Sequence, residues 1–323
     1  MKDLPLVSAI IVTYNRGHIV CEAVECILKQ TYENIEVIVV DDGSSDDTQD
    51  KLKQYANRIR VVYQQNAGQA AARNRGIEVS QGEIIAFLDS DDIWLLTFVE
   101  RLVSVLQQAG ESTPCCLANA RLRFADDSQT TSFDYAYLQT PCEEGIWLNV
   151  ADVLATRFVQ FNQTVAIRRC ALERTGGFDE RMRYMDDYNL ALRLSLEGPW
   201  GFIREPLVVW RQGTSDSNSV SQAGQRDPGG VTVDLITIFE RLLQEMNGAD
   251  RYSSLRKRII WRLMLCHMSL MEARLRQMSS PGARVVGALL NGLNHYWYVA
   301  FRRSPWFPKM KTRPFDCGRP GNG

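Results

Sequence analysis

The chain has 323 residues and a formal net charge of -1 at pH 7, with 45% hydrophobic and 23% charged residues. These proportions are typical of a soluble globular protein, and they exclude a disordered chain and a collagen-like one. Because a domain commonly contains about 150 residues, the length favours two domains and a sizeable hydrophobic core.

The first residues and the cysteines bear on the cellular compartment. Residues 1–5 contain an acid and a proline where a signal peptide would have a basic stretch and a long apolar run. The eight cysteines show no pair of CxxC spacings, so we expect reduced thiols and no zinc ribbon. We therefore predict a cytoplasmic protein.

The first part of the chain alternates short apolar runs with amphipathic segments. Short β-branched runs are typical of buried strands, and apolar residues three or four apart are typical of helices. The predicted strands are 7–12, 35–40, 59–63 and 83–88, and the predicted helices are 19–30, 70–80 and a further one after 41–45. Strands that alternate with helices predict an α/β fold with a doubly wound parallel sheet.

The rest of the chain is first mixed and then helical. The predicted strands are 116–124, 164–168 and 201–209, and the predicted helices are 187–197, 232–246 and 255–276. Residues 216–230 are polar and glycine-rich, which predicts a loop or linker. We therefore predict one domain over 1–225, carrying acceptor contacts in its second half, and a helical C-terminal region over 226–323. No segment reaches the roughly 18 uncharged apolar residues that a membrane-spanning helix needs.

Polar clusters follow three of the predicted strands, and ligands of such sheets bind at the carboxyl ends of strands. Tyr14 and Asp42 lie at the first two ends, where an aromatic ring and a carboxylate can hold a uracil-type base. The alternatives are a core position for Tyr14 and a helix cap for Asp42. Downstream, Arg73 and Arg75 follow a glycine turn and could face a base or diphosphate, or simply solvate a tightly packed helix.

The strongest single signal is Asp89-Ser90-Asp91-Asp92 at the end of the fourth strand. Mg²⁺ and Mn²⁺ bind carboxylate oxygens, usually one or two, with substrate phosphates completing the shell. Crowded carboxylates also repel one another unless a cation neutralises them. The run therefore predicts a metal-diphosphate site, with a turn or cap as the alternative.

A second acidic pair, Asp186-Asp187, precedes a predicted helix. A carboxylate in this position can act as a general base toward an acceptor hydroxyl. The alternative is a cap that the helix dipole favours.

Taken in order, these motifs resemble those of the family 2 glycosyltransferases, and the resemblance covers residues 5–220. The motifs that carry it are Thr13-Tyr14-Asn15-Arg16, Val39-Val40-Asp41-Asp42-Gly43-Ser44, residues 66–76, Phe87-Leu88-Asp89-Ser90-Asp91-Asp92, Gly176-Gly177-Phe178-Asp179 and Asp186-Asp187. The resemblance implies the GT-A fold, a doubly wound, Rossmann-like mixed sheet. It also implies inverting transfer of a sugar from a nucleotide sugar, most often UDP-linked, to an acceptor hydroxyl.

The resemblance also implies roles for individual residues. The donor-binding residues would be Thr13, Tyr14, Asn15, Arg16, Asp42, Arg73, Asp89 and Ser90. Asp91, with Asp92 beside it, would bind Mn²⁺ or Mg²⁺, and Asp187 would be the catalytic base. The chain departs from the family in one place, because Gln212 stands where members often carry a metal-binding histidine. We therefore expect the metal to be held mainly by carboxylate and diphosphate.

The charge is unevenly distributed along the chain. Residues 1–231 contain 22 basic and 32 acidic residues, whereas residues 232–323 contain 15 and 6. The basic part also has interleaved aromatic residues, at 261, 296–298, 301, 306 and 307, which favours contact with an anionic membrane and would suit a lipid-linked glycan acceptor. The alternative is a helical extension that packs on the first domain or on a partner.

Other classes of protein fit less well. Nucleic acid binding is not expected, because the first domain is acidic and its polar loops lack a basic stripe. A nucleotidyltransferase would need a glycine-rich phosphate loop near residue 15, which the sequence lacks. A catalytically inactive sugar-nucleotide-binding protein is disfavoured because every acidic motif is retained.

Overall fold

The structure is a computed structural model. It describes residues 4–124, 128–159, 161–211, 220–246, 250–277, 282, 285–293 and 307–315.

The described strands form a single mixed sheet. They are β1 Val7–Thr13, β2 Ile35–Asp41, β3 Arg60–Tyr63, β4 Ile84–Asp89, β5 Ile93–Trp94, β6 Cys115–Arg123, β7 Gln129–Thr131, β8 Glu144–Trp147, β9 Val165–Arg168, β10 Trp200–Arg211 and β11 Thr312–Pro314. The order along the sheet is β11-β8-β10-β6-β9-β4-β1-β2-β3, with β5 paired to β10 and β7 to β6.

The helices connect and cover these strands. They are α1 Val20–Leu28, α2 Thr48–Leu52, α3 Gln69–Val79, α4 Phe98–Ala109, α5 Ser132–Tyr135, α6 Val150–Leu154, α7 Arg169–Thr175, α8 Asp186–Glu197, α9 Val220–Arg226, α10 Pro228–Glu245 and α11 Ser253–Gln277. Short 3-10 turns lie at Lys53–Tyr55, Asn162–Thr164 and Asp250–Tyr252, and residues 285–293 are helical. None of the described helices combines the length and apolar character needed to cross a membrane.

The sheet has a parallel half and a mixed half. Strands β3, β2, β1 and β4 are parallel, as are β6 and β10, whereas β9 runs antiparallel to both β4 and β6. Thr13 pairs with Asp41, and Val12 pairs with Asp89. The carboxyl ends of β1, β2 and β4 therefore meet at one edge, as the sequence predicts.

Two hydrophobic clusters lie on opposite faces of the sheet, because successive strand residues point to opposite sides. Ile10 belongs to one cluster and its neighbour Ile11 to the other. The first cluster also contains Phe239 of α10 and Ile259 of α11. The C-terminal helices therefore share a hydrophobic core with the sheet, which agrees with the packing alternative considered for this region.

Most predicted elements are confirmed to within a few residues, and the doubly wound α/β class is confirmed. One prediction is wrong in part: within the polar stretch 216–230, residues 220–226 are helical and α10 already begins at Pro228. Asp227 makes this possible because its carboxylate accepts a hydrogen bond from the Gly230 N–H, at 2.9 Å. The C-terminal region is also not wholly helical, since β11 adds an antiparallel strand to β8.

Candidate active site

The loops after β1 and β2 form one wall of the candidate site. Asn15 adopts a positive φ of 51°, a conformation that asparagine tolerates better than most residues. Its N–H donates to Ser44 Oγ at 2.8 Å, and its Oδ1 accepts from the Ser45 N–H at 2.7 Å. Thr13 is buried beside them, whereas Tyr14 is 40% exposed, so the core alternative for Tyr14 is wrong.

Asp42 is buried and organises the loop that follows β3. Its Oδ1 accepts hydrogen bonds from Gln64 Nε2 at 2.7 Å and from the Ala67 N–H at 2.9 Å, and its Oδ2 accepts from the Gly68 N–H at 2.9 Å. The cap alternative for Asp42 is wrong, because Asp47 occupies the N-cap of α2. Asp42 therefore shapes the loop before α3, and a carboxylate retains further acceptor capacity for a ligand.

Arg73 lies at the centre of the site and is 2% exposed. Its Nη2 donates to Asp89 Oδ1 at 2.8 Å, and its Nη1 donates to Asp186 Oδ2 at 2.6 Å. One guanidinium thus joins the end of β4 to the start of α8. Although burial alone would lower it, the Asp89 and Asp186 carboxylates raise the pKa of Arg73, so the side chain remains a cation.

The two arginines of α3 differ in their surroundings. Arg75 is an exposed residue that pairs with Glu78 at 2.5 Å, one turn along the same helix. The solvation alternative therefore describes Arg75, whereas it is wrong for the buried Arg73.

The acidic run after β4 is a tight turn in which the Asp92 N–H donates to the Asp89 carbonyl at 3.0 Å. Asp89 and Asp91 retain side-chain exposures of 35% and 22%, so their oxygens remain accessible to a ligand. Asp91 Oδ2 accepts from Arg16 Nη1 at 3.2 Å. Ser90 is buried within the turn.

Asp92 lies deeper than its neighbours, at 1% exposure. Its Oδ1 accepts from the Arg211 N–H of β10 at 3.0 Å. Burial, reinforced by the negative charges of Asp91 and Asp89, raises the pKa of Asp92 well above the ordinary carboxylate value. Asp92 thus ties the acidic run to β10, while Asp91 presents the more accessible oxygens.

The carboxylates of this acidic run are of the kind that binds a hard divalent cation whose coordination shell is completed by substrate oxygens. Among the described residues, no three His, Cys, Asp or Glu side chains cluster as a self-sufficient metal site. Mg²⁺ and Mn²⁺ commonly need only one or two carboxylates when phosphate oxygens and water complete the shell. Gln212, which stands where family members often carry a histidine, lies outside the described residues.

Asp187 is partly exposed in the first turn of α8, and Asp186 beside it is buried. The N-cap of this helix is Met185, so neither aspartate occupies the N-cap itself, although both lie in the first turn, where the helix dipole favours a carboxylate. Asp187 Oδ1 accepts from the Tyr188 N–H at 2.6 Å. Burial raises the pKa of Asp187 to about 7, and the Asp186 charge adds to the rise while Arg73 opposes it. A carboxylate with a pKa near the working pH is suited to proton transfer.

Sequence reasoning missed several polar residues that shape the site. Gln69 donates from Nε2 to Asp186 Oδ1 at 2.8 Å, and Gln64 contacts Asp42. Both glutamines lie close to Gly68 in the sequence, on either side of the turn. Their closeness to this glycine is the only sequence feature that could have indicated their role. Asp234 of α10 is a third, and its position on an otherwise apolar buried stripe could have been noticed.

Residues 8–181, more than half of the chain, match the model for Glycosyl transferase family 2. The chain therefore belongs to glycosyl transferase family 2.

Two curated relatives align over part of the chain. The glycosyltransferase GlyG of Streptococcus pneumoniae is 47% identical over 107 residues, which cover 32% of this chain and 36% of GlyG. WfgD of Escherichia coli, named a UDP-Glc:alpha-D-GlcNAc-diphosphoundecaprenol beta-1,3-glucosyltransferase, is 42% identical over 103 residues, covering 31% and 41% of the two chains. The matched part thus spans less than half the length of either relative.

Solved structures match nearly the whole fold at low sequence identity. TarS 1–349 of S. aureus in complex with UDP has a TM-score of 0.61 at 15% identity and covers 98% of both chains. The mannosyltransferase PcManGT from Pyrobaculum calidifontis, in complex with GDP-Man and Mn²⁺, has a TM-score of 0.56 at 19% identity, covering 92% of this chain and 84% of its own. The predicted GT-A fold is confirmed.

Proposed function

We propose that this chain is an inverting, metal-dependent enzyme that transfers a sugar from a UDP-linked donor to an acceptor hydroxyl in glycan assembly. The observation that carries the proposal is the bridge made by Arg73, which holds Asp89 at the predicted donor site and Asp186 beside Asp187. The donor-binding and proton-accepting groups are thus joined through one buried side chain.

The donor would lie across the carboxyl ends of β1, β2 and β4. Tyr14 offers an exposed ring for stacking on the base, and Asp42 offers a carboxylate for its imide N–H. The TarS complex with UDP and the UDP-Glc donor in the name of WfgD support a uridine nucleotide. Asn15 and Arg16, which directly follow β1, would lie beside the donor at the same edge.

Mn²⁺ or Mg²⁺ would be held by Asp91, with Asp92 behind it, and would neutralise charge on the leaving diphosphate. Arg16 already binds Asp91 Oδ2, so it keeps the carboxylate oriented and adds positive charge at the same edge. The Mn²⁺ in the PcManGT complex supports the choice of cation.

Asp187 would accept the proton of the acceptor hydroxyl. The hydroxyl oxygen then bonds to the anomeric carbon as the carbon–oxygen bond to the diphosphate breaks, and the nucleoside diphosphate leaves. A single displacement of this kind inverts the anomeric centre. The pKa of about 7 leaves a substantial fraction of Asp187 in the basic form at neutral pH.

Release of UDP from a panel of UDP-sugars with Mn²⁺ tests the proposal, and the donor that turns over is then used to determine the product. We expect slow hydrolysis of the donor without an acceptor and faster UDP release with one. The NMR signal of the anomeric proton should show that the product has the anomeric configuration opposite to that of the donor. Retention of configuration, or no turnover of any UDP-sugar by folded protein, would overturn it.

The acceptor is proposed to be lipid-linked, with the protein at the cytoplasmic face of a membrane. One exposed stripe of α11 carries apolar and basic side chains without an acidic one: Lys257, Ile260, Met264, His267, Met271 and Arg274. Such a stripe suits the surface of an anionic bilayer. The lipid-diphosphate acceptor in the name of WfgD supports this choice. The aromatic positions 296–298, 301 and 306 lie outside the described residues.

Flotation with vesicles tests the membrane contact. The full chain is expected to float with vesicles containing anionic lipid, and less so with neutral vesicles. The double change Ile260→Glu and Met264→Glu should abolish flotation, because it replaces two apolar contacts with negative charges that anionic lipid repels. Both side chains are exposed, so the changes leave the core intact. Unchanged flotation of the double variant would exclude this surface.

A further inference from the structure

A short segment immediately before the acidic pair of α8 is held by hydrogen bonds to helix α10. The segment consists of Arg183, Tyr184 and Met185, and all three of its N–H groups point to one oxygen. Asp234 Oδ2 accepts these hydrogen bonds at 3.0, 2.8 and 3.2 Å. Three donors converging on one carboxylate oxygen fix the backbone of segment 183–185 at the point where the chain enters α8.

Asp234 itself is an unusual residue for its position. It lies on α10, and the other buried residues of that helix are apolar: Ile238, Phe239 and Leu242. At 7% exposure, its carboxylate is largely removed from water, which is costly unless hydrogen bonds compensate. Charge-assisted bonds to backbone N–H groups are among the stronger hydrogen bonds. The aspartate is therefore placed to hold segment 183–185 where an apolar residue would only fill space.

A second aspartate of the C-terminal region binds the same segment. Asp227 Oδ2 accepts from Tyr184 Oη and from Arg183 Nη1, each at 3.1 Å. The start of α10 also approaches the segment closely, since a Cβ on Gly230 would lie 2.7 Å from Tyr184 Cε2. The side chains and the backbone of segment 183–185 are thus both held by the beginning of α10.

We propose that Asp234 is a positioning residue for the reaction, which it serves by fixing the segment that carries Asp186 and Asp187 into α8. The proposal rests on the proposed role of Asp187 as the general base. Because segment 183–185 is fixed, Asp186 is held within ion-pair distance of Arg73. Asp187, the next residue, then keeps a single orientation toward the donor. In this proposal the C-terminal region helps to position the catalytic base, in addition to packing on the sheet.

Variants of the full chain test the proposal through steady-state UDP release from the most active UDP-sugar. Asp234→Ala is expected to lower kcat by about 10- to 100-fold, as for a small misplacement of a reacting group, with the donor KM almost unchanged. Asp234→Asn should recover much of the rate, because it keeps one oxygen that can accept the same N–H groups. Glu240→Ala is the matched control, since Glu240 is an exposed carboxylate of the same helix. Its kinetics should match those of the wild type.

Asp187→Asn, measured in parallel, separates the two proposals. If Asp187→Asn turns over at the wild-type rate, the assignment of the base fails whatever Asp234 does. If Asp187→Asn is inactive while Asp234→Ala behaves like Glu240→Ala, only the positioning role is overturned. Should Asp234→Ala fail to fold, Asp234→Asn decides: because a neutral amide oxygen accepts hydrogen bonds more weakly than a carboxylate, kcat should fall by a few-fold with the donor KM unchanged. A kcat equal to that of Glu240→Ala would contradict the proposal.

Discussion

Arg73 Nη1 and Asp186 Oδ2 are 2.6 Å apart in a buried ion pair, although 113 residues separate them in the chain. The other amino group of Arg73 binds Asp89. Because removal of one partner leaves a buried charge without compensation, this pair is expected to matter both for stability and for catalysis.

Arg73→Ala should lower the free energy of unfolding by about 3–5 kcal/mol and abolish turnover, because Asp186 would be buried without its cation. Urea unfolding and UDP release measure the two effects. Arg75→Ala, on the same helix but exposed, should change the free energy of unfolding by less than about 1 kcal/mol. Equal losses in the two variants would show that the buried bridge has no special role.

Asp42→Ala should act on donor binding rather than on chemistry. It removes three hydrogen bonds from the loop before α3, which involve Gln64, Ala67 and Gly68. We expect the donor KM to rise about tenfold or more, with a smaller change in kcat. The reason is that one hydrogen bond to a charged group contributes about 1.5–3 kcal/mol, and this bond to the donor is lost. Glu33→Ala, an exposed carboxylate, is the control. An unchanged KM in Asp42→Ala would refute the assignment.

Removal of divalent cations with EDTA should stop turnover, and added Mn²⁺ or Mg²⁺ should restore it. Asp91→Ala should need much more metal for half-maximal rate and lose most of its activity at low metal. Asp50→Ala, which removes an exposed carboxylate of α2, should titrate with metal as the wild type does. The metal assignment is refuted if UDP release persists in EDTA.

Activity should rise with pH through the titration of Asp187. The base must be deprotonated to accept a proton, and burial raises its pKa to about 7, so kcat should be low near pH 5.5 and reach a plateau near pH 8.5. The charged groups that face it are Asp186, Arg73 and Asp89. Measuring kcat at saturating donor separates this titration from donor binding. A profile that is flat between these limits would be inconsistent with the role.

The arrangement of the strand ends could be predicted because it follows from local patterns. Buried parallel strands of similar length place Thr13, Asp41 and Asp89 at one edge whatever the rest of the chain does. The resemblance then assigned roles to these positions in their order along the chain. The fold class followed from these two steps, and the proposed location of the site rests on them as well.

The partners of these residues could not be predicted, because they depend on contacts distant in sequence. Periodicity places Arg73 on a helix, but only the folded chain brings Asp186 within reach of it. The same holds for Asp234, which contacts a segment about 50 residues earlier in the chain. Strand β11 is three residues long and has no alternating pattern, so its pairing with β8 left no signal.

Asp187 is proposed as the general base in transfer from a donor bound at the strand ends. Asp187→Asn keeps the shape of the side chain and removes its basicity. The most direct measurement is UDP affinity by calorimetry together with UDP release for this variant. We expect wild-type affinity for UDP and a rate lowered about 100- to 10,000-fold, the usual contribution of a general base. Turnover at the wild-type rate by Asp187→Asn would show that Asp187 is not the general base.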